Sequence, residues 1–403
     1  MRRIVLVGLL EPWAIRPGVG APSLYETLSG YARRGWDVHY VTNNKRRLLG
    51  TAHERNIDVE VPGLTIHRFD LPTPFRKWPR LQAKLDRLFF FPLWAALALR
   101  KLSIPADVLY GYEAAGVLAV RWFKKLTRSK AFCVSRFQGT VMYAERMLRW
   151  SFALRKLELL LAYRAKADAF IMTNDGTSGD VVLQRWNKHL RDYNLLHIRN
   201  GIDKELFSKP QSRQAVLGEL GLDPERFYLL AVSRLLPSKR VDRSVELMAH
   251  LPDAHLIVCG DGEQLEELKA LALRLGVAER VHFLGGTSRE RVAALMNVCD
   301  MFISLYDVSN CGNPLFEALL CGRCIVTLDN GGTGQVIRDG VNGRLIPLRV
   351  LPRLPDFVRA LIDSPEERAK LEAGAREWAA REMRTWTERI DYEIDWLMSR
   401  SRL

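Results

Sequence analysis

Short runs of consecutive apolar residues alternate along this chain with segments whose apolar positions recur every three or four residues. An apolar run without polar alternation marks a strand buried on both faces, as in parallel sheets covered by helices. In the first half the pattern predicts strands at residues 4–10, 38–42, 108–112, 131–135 and 169–173. It also predicts a helix from Pro22 to Arg34, with Leu24, Leu28 and Tyr31 on one side and Gly35 ending it. In the second half strands are predicted at 227–233, 255–259, 281–284, 301–305 and 324–328. Helices between them are predicted near 241–251, 264–275, 289–298 and 314–321. This is the alternation of a doubly wound α/β unit of the Rossmann kind.

Length turns one such unit into two. The 403 residues exceed a single compact core and suit two domains of about 200 residues. The turn-rich stretch Arg199-Asn200-Gly201-Ile202-Asp203 marks the expected boundary. The expected domains are therefore 1–200 and 201–385. A final helix, about 386–398 within a terminal segment 386–403, is expected to return to the first domain.

The apolar start after Arg2-Arg3 runs into Glu11-Pro12-Trp13 rather than a cleavage site, so it reads as a strand and not as a signal peptide. The longest apolar stretch, residues 89–99, is about half of what spans a bilayer. The expectation is a cytoplasmic protein. Of the six cysteines, Cys321 and Cys324 form a CxxC, but no second pair stands at zinc-ligand spacing. All six are expected to be reduced thiols serving as small apolar side chains.

Charge separates the halves. Residues 1–200 hold 33 Lys and Arg against 16 Asp and Glu, whereas the remainder is slightly acidic, within a total of +14. The excess points to an anionic partner of the first half: a membrane surface, a phosphate-bearing substrate or nucleic acid. A merely soluble basic face is the plain alternative. Between Pro72 and Lys101, seven basic residues interleave with Phe75, Trp78, Phe89, Phe90, Phe91 and Trp94. That mixture suits a helix lying on an anionic membrane surface, and equally a core helix with solvated flanks.

Candidate chemistry lies in loops that follow strands. Arg234 and Lys239 stand five residues apart after the 227–233 strand, where an open α/β sheet binds ligands, and two cations there can hold both phosphates of a diphosphate. Ser309-Asn310-Cys311-Gly312-Asn313-Pro314 leads into a helix with Asn313 as its expected cap and Pro314 as its first residue. Such a helix start seats phosphate oxygens, and Glu317 one turn in can accept hydrogen bonds from sugar hydroxyls. The plain reading of Glu317 is a helix-start carboxylate favoured by the dipole. Gly260-Asp261-Gly262, Gly331-Gly332-Thr333-Gly334 and Gly18-Val19-Gly20 are glycine-rich turns where backbone can approach a ligand closely.

Taken in order, these motifs resemble the retaining glycosyltransferases of the large family four, the glycosyl transferases group 1, whose fold is GT-B: two Rossmann-like doubly wound domains. The resemblance runs from about Phe227 to Pro347 and includes Arg234 and Lys239, Gly260 to Gly262, Val281 to Gly285, Asn313 to Glu317, Gly331-Gly332 and Asp339 to Gly343. Asn200 to Asp203 resembles the family's domain-linking signature. The resemblance implies that Arg234 and Lys239 bind the donor diphosphate and that Glu317 binds the ribose. It implies that Asn310, Cys311, Gly312 and Asn313 hold the transferred sugar through their backbone, and that Gly18 and Gly20 approach the phosphates. Asn200 and Gly262 join the expected donor-binding set. It further implies retention of anomeric configuration and chemistry without a metal or other cofactor.

Two positions depart from the family pattern. An acid usual eight residues before Glu317 is replaced by Ser309, and a histidine usual after the 131–135 strand is replaced by Gln138. Gln138 can hydrogen-bond a sugar hydroxyl but cannot move a proton. Asp307, two residues before Ser309, is a candidate substitute for the missing acid; neutral hydrogen bonds from Ser309 and Asn310 are the alternative. The expected function is transfer of a hexose-type sugar from a nucleotide diphosphate-sugar, UDP- before GDP-linked, to a glycan or lipid-linked acceptor of a bacterial surface. The rival is a non-catalytic GT-B protein that binds a nucleotide sugar or partners an active transferase. No nucleic-acid-binding signature is present, and the first strand lacks the GxGxxG turn of an NAD dehydrogenase.

Overall fold

The computed structural model describes residues 1–9, 22–44, 61–140 and 148–400. They divide into two compact units. The first comprises Met1–Asn174, Ser178–Gly201 and Trp386–Leu403; the second comprises Asp175–Thr177 and Ile202–Thr385. Gly18 and Gly20 lie outside the described residues.

The first unit is built on a parallel sheet of seven strands in the order β3-β2-β1-β4-β5-β6-β7. The strands are β1 (Arg3–Gly8), β2 (Asp37–Asn43), β3 (Leu64–Phe69), β4 (Val108–Tyr112), β5 (Phe132–Phe137), β6 (Ala169–Thr173) and β7 (Leu195–Ile198). The central strands are buried on both faces, which is why they read as unbroken apolar runs. Ile4 and Leu6 belong to one core layer with Leu24, Leu28, Ile390 and Ile394. Val5 and Val7 belong to the opposite layer with Phe91, Ala95, Val117 and Leu118. The period of two along β1 thus separates two helical coats.

The Trp386–Met398 helix lies in this first unit, against the Ser23–Arg33 helix. The two approach so closely at Gly30 that a Cβ there would stand 2.5 Å from Ile390 Cγ2. The segment from Pro72 to Lys101 resolves into a Pro79–Leu85 helix, a π-turn at Asp86–Phe90 and a Phe91–Leu102 helix. The last buries Phe91, Ala95, Ala96 and Leu99 in the core, while Trp78, Leu81, Phe89 and Leu97 remain exposed. Among the described residues no helix is long and apolar enough to cross a membrane.

The second unit carries six parallel strands in the order β10-β9-β8-β11-β12-β13. These are β8 (Phe227–Val232), β9 (Ala254–Cys259), β10 (Val281–Gly285), β11 (Met301–Ser304), β12 (Cys324–Asp329) and β13 (Arg344–Pro347). Chain order reverses between β8 and β11, and the crevice at the carboxyl ends of two such strands is where doubly wound sheets receive ligands. All six cysteines are buried and none is in a disulfide, and burial pushes the Cys321 and Cys324 thiols up to about 12. The CxxC is therefore packing, not redox or metal chemistry.

Candidate functional site

The switch point of the second sheet gathers most of the residues singled out in the sequence. Arg234 is the second residue after β8 and is exposed. Lys239 ends a short 3-10 turn, Pro237–Lys239, whose Pro at the first position presets the backbone. Its ammonium lies 4.1 Å from the ring centroid of Tyr306, the second residue after β11, and Tyr306 in turn donates its hydroxyl to the Val232 carbonyl at 2.9 Å. One cation–aromatic contact and one hydrogen bond thereby tie the ends of β8 and β11 together.

Lys239 holds its charge against its surroundings. Burial, and then the like charge of Arg234, push its ammonium down to about 8, with Asp175 opposing. Asp175 is mostly buried, and burial lifts its carboxyl to about 6 despite hydrogen bonds from the Thr177 hydroxyl and amide. The segment Asp175–Thr177 is part of the second unit: the Asp175 carbonyl accepts the Ser309 hydroxyl at 2.6 Å, and the Gly176 carbonyl accepts the Gly332 amide at 2.7 Å. Asp175 and Tyr306 were not singled out in the sequence. An Asn-Asp-Gly turn directly after an apolar run was the available signal for Asp175; nothing local marks Tyr306.

The glycine turn Gly260 to Gly262 acts at one remove. A Cβ on Gly260, whose φ is +146°, would stand 1.7 Å from the Ser233 carbonyl oxygen, and one on Gly262 2.4 Å from that of Leu235. The Ser233 amide donates to the Cys259 carbonyl at 3.0 Å and the Leu235 amide to the Asp261 carbonyl at 2.9 Å. Gly262 therefore packs the loop that carries Arg234.

The loop before the Asn313–Leu320 helix differs from expectation in three respects. Gly312 holds the cap position and Asn313 the first helical one, a shift of one residue, and no side chain caps the helix. Asn310 is 1% exposed, and its side chain is engaged within the loop: it donates to Asn330 Oδ1 at 2.8 Å and accepts the Tyr306 amide at 3.1 Å. It shapes the loop by bracing it against Asn330 and Tyr306. Ser309 Oγ also accepts the Cys311 amide, at 3.1 Å, so that amide has a partner within the turn.

Asp307 is the third. Its carboxylate sits 2.7 Å from Arg243 and 3.2 Å from Arg240, while its amide donates to the Ser238 carbonyl. Two guanidiniums draw it toward the Val241–Leu247 helix, where it anchors the loop bearing Lys239. The candidate substitute acid is thus paired with two arginines in this structure.

Glu317 lies on the Asn313–Leu320 helix, 8% exposed, and burial lifts its carboxyl to about 7, Arg289 lowering it and Asp203 raising it. A carboxyl so poised accepts hydrogen bonds only once something offsets its desolvation.

In the first unit Gln138 follows β5, and its side chain is bound on both ends. Its amide donates to the Tyr112 hydroxyl and to Ser23 Oγ, and its oxygen accepts the Thr173 hydroxyl at 3.2 Å. Asn200 lies at the end of the same unit, just before the chain passes into the second. Among the described residues no three His, Cys, Asp or Glu side chains converge as metal ligands.

Two doubly wound parallel sheets, with paired cations at the switch point of the second, define an α/β chain of the GT-B class. Solved structures of that fold align over nearly the whole chain: sucrose-phosphate synthase from Thermosynechococcus elongatus has a TM-score of 0.79 and 18% identity, over 99% of this chain and 98% of that one. Anabaena Alr3699/HepE in complex with UDP gives 0.72 and 20% identity, over 99% and 100%. Residues 212–378 match the family model of glycosyl transferases group 1, and the second unit belongs to that family. A GDP-mannose-dependent α-(1-6)-phosphatidylinositol monomannoside mannosyltransferase of Mycolicibacterium smegmatis is 30% identical over 46% of this chain and 51% of its own. A D-inositol 3-phosphate glycosyltransferase of Mycobacterium sp. strain KMS is 34% identical over 37% of this chain and 35% of its own. The chain thus spans about half or less of the curated relatives it matches.

Proposed function

We propose that the chain transfers a hexose-type sugar from a nucleotide diphosphate-sugar with retention of configuration, using Arg234 and Lys239 to stabilise the departing diphosphate. The observation that carries this is the pair of cations at the β8–β11 switch point, one of them desolvated over Tyr306 and lowered by its neighbour. A charge held under such strain is relieved by an anion, and relieved most by the anion that gains charge as the glycosidic bond breaks. Two fixed cations supply the neutralisation that this bond cleavage needs, so the reading requires no metal. Glu317, buried at the helix start, is assigned the ribose hydroxyls, where hydrogen bonds from the ligand offset its desolvation.

The UDP complexes of the structural neighbours favour a UDP-sugar; the GDP-mannose-dependent relative keeps the alternative base in the experiment. The acceptor is a glycan or lipid-linked glycan, reached by a cytoplasmic protein resting on an anionic membrane. Exposed Trp78, Leu81, Phe89 and Leu97 beside Arg76, Lys77, Arg80 and Lys84 support that placement. Nucleic acid is not its ligand.

Thermal denaturation with UDP-, GDP-, ADP- and TDP-sugars tests the donor: a ligand at tenfold its Kd stabilises by about 1.4 kcal/mol. Arg234→Ala and Lys239→Ala are each expected to cut turnover by a factor on the order of 10² while leaving the fold intact, because both lie in a loop. Normal turnover in either variant overturns the assignment. Binding without turnover of any acceptor selects the rival, a non-catalytic nucleotide-sugar-binding protein.

A further inference from the structure

The strands of the first sheet are parallel, so their amino ends share one edge, opposite the edge where Gln138 lies. At that edge a cavity of about 710 Å³ opens. Its walls come from separate elements that converge there: Arg121, Lys124 and Lys125 from the Glu113–Thr127 helix, Arg164 and Lys166 between the Leu157–Tyr163 helix and β6, and Lys188 beyond the Gly179–Trp186 helix. Cys133, Leu161 and Ala167 give it apolar surface.

The ordinary reason for cations here is that helices end here. A helix carboxyl terminus carries a charge of roughly −0.5, so three of them offset about 1.5 positive charges. Among the described residues the only carboxylate lining the cavity is Asp168, 3.7 Å from Lys124 and already accepting the Cys133 amide at 2.8 Å. Six cations against one carboxylate and three helix ends leave a surplus of roughly three positive charges. Among the described residues Arg121, Lys125, Arg164, Lys166 and Lys188 form no ion pair. His189 reports the resulting field: desolvation, then Lys188, Lys166 and Arg191, lower it from its ordinary value.

We infer that this cavity is a binding site for a multiply charged phosphate anion, either a free polyphosphorylated compound or the phosphate monoester headgroup of a lipid. A concave site with converging cations concentrates multivalent anions and holds them by several charge-assisted hydrogen bonds at once. Among the described residues its lining has no Phe, Tyr or Trp, and His189 gives the one ring on which a base could stack, which sets it apart from the multi-aromatic groove of a single-strand nucleic-acid binder.

The test is calorimetric titration of the full chain with inorganic tripolyphosphate, beside flotation with phosphatidylcholine vesicles with and without phosphatidic acid. Lys166 and Lys188 are exposed, so Lys166→Glu with Lys188→Glu is expected to leave the melting temperature unchanged and to weaken tripolyphosphate binding at least tenfold. Arg234→Ala with Lys239→Ala is expected to leave at least one tripolyphosphate site at unaltered affinity, which separates this cavity from the donor site. Tripolyphosphate binding that depends on Lys166 and Lys188 upholds the free-anion source. Flotation with phosphatidic acid that depends on them, without tripolyphosphate binding, upholds the lipid source. The inference is overturned if neither probe binds, if binding survives the double charge reversal, or if a short single-stranded RNA binds more tightly than either probe through the same lysines.

Discussion

Lys239 is held by an aromatic ring, crowded by a second cation and half removed from water, and its titration follows from those contacts. With its ammonium lowered to about 8, the cationic form is present below that pH and lost above it. A diphosphate restores the ordinary preference for the charged form, so binding takes up a proton when the pH exceeds about 8. Donor affinity is therefore expected to be level just below that pH and to weaken by about tenfold per unit well above it. Lys239→Arg, which cannot lose its charge, is expected to flatten the profile. A nucleotide sugar is the right titrant, because its diphosphate diester has no proton to exchange in this range. An unchanged alkaline limb in Lys239→Arg would assign the dependence elsewhere. Arg234 and Lys239 were legible in the sequence because strand, loop and spacing are local. Tyr306 was not, because only the folded sheet brings a residue 67 positions away against Lys239, and the Asn-Asp-Gly turn at Asp175 marks a turn without revealing that its charge acts on a lysine 64 positions away.

Elements with buried, continuous apolar runs were read to within about two residues, whereas β3, β7 and β13 were missed. All three are partly exposed and polar: β3 contains His67 and Arg68, β7 alternates exposed and buried positions, and β13 has four residues between Gly343 and Leu348. Edge strands covered on fewer sides leave no apolar run to detect. The glycine turn after β9 shows how an element can serve a site it does not line. Gly262→Ala would press a methyl group into the Leu235 carbonyl, 2.4 Å from the new Cβ, and so displace the loop carrying Arg234. Because misplacement of a binding group by about 1 Å costs on the order of 10² in rate, kcat is expected to fall by that order while melting drops only modestly. Wild-type kinetics in Gly262→Ala would show that Arg234 is positioned by other contacts.

At the scale of the whole molecule, the chain passes through the second unit and finishes inside the core of the first. A helix near residue 386 and its return to the first unit were expected, but what the return brings together was not legible, since it depends on side chains up to 362 positions apart. Glu393, fully buried, accepts the hydroxyls of Tyr110 at 2.8 Å and Tyr31 at 3.2 Å, and pairs with Arg389 at 2.6 Å and Arg136 at 3.1 Å. Burial alone would raise its carboxyl, but the two guanidiniums outweigh that and hold it below the usual range. Glu393→Ala removes the one negative charge between two buried arginines. Breaking such a set from one side costs about 3–5 kcal/mol, because the remaining charges stay desolvated and uncompensated. The loss belongs to the first unit, since every partner of Glu393 named here lies within it. Calorimetry is expected to show one transition of the variant moved sharply downward. A second transition, still raised by a nucleotide sugar, should stay in place, because the residues proposed to bind the donor, Arg234, Lys239 and Glu317, belong to the second unit. A small, uniform shift of the whole profile would mean that the Trp386–Met398 helix is held by its apolar face, Ile390, Ile394 and Leu397, and that the buried charges contribute little.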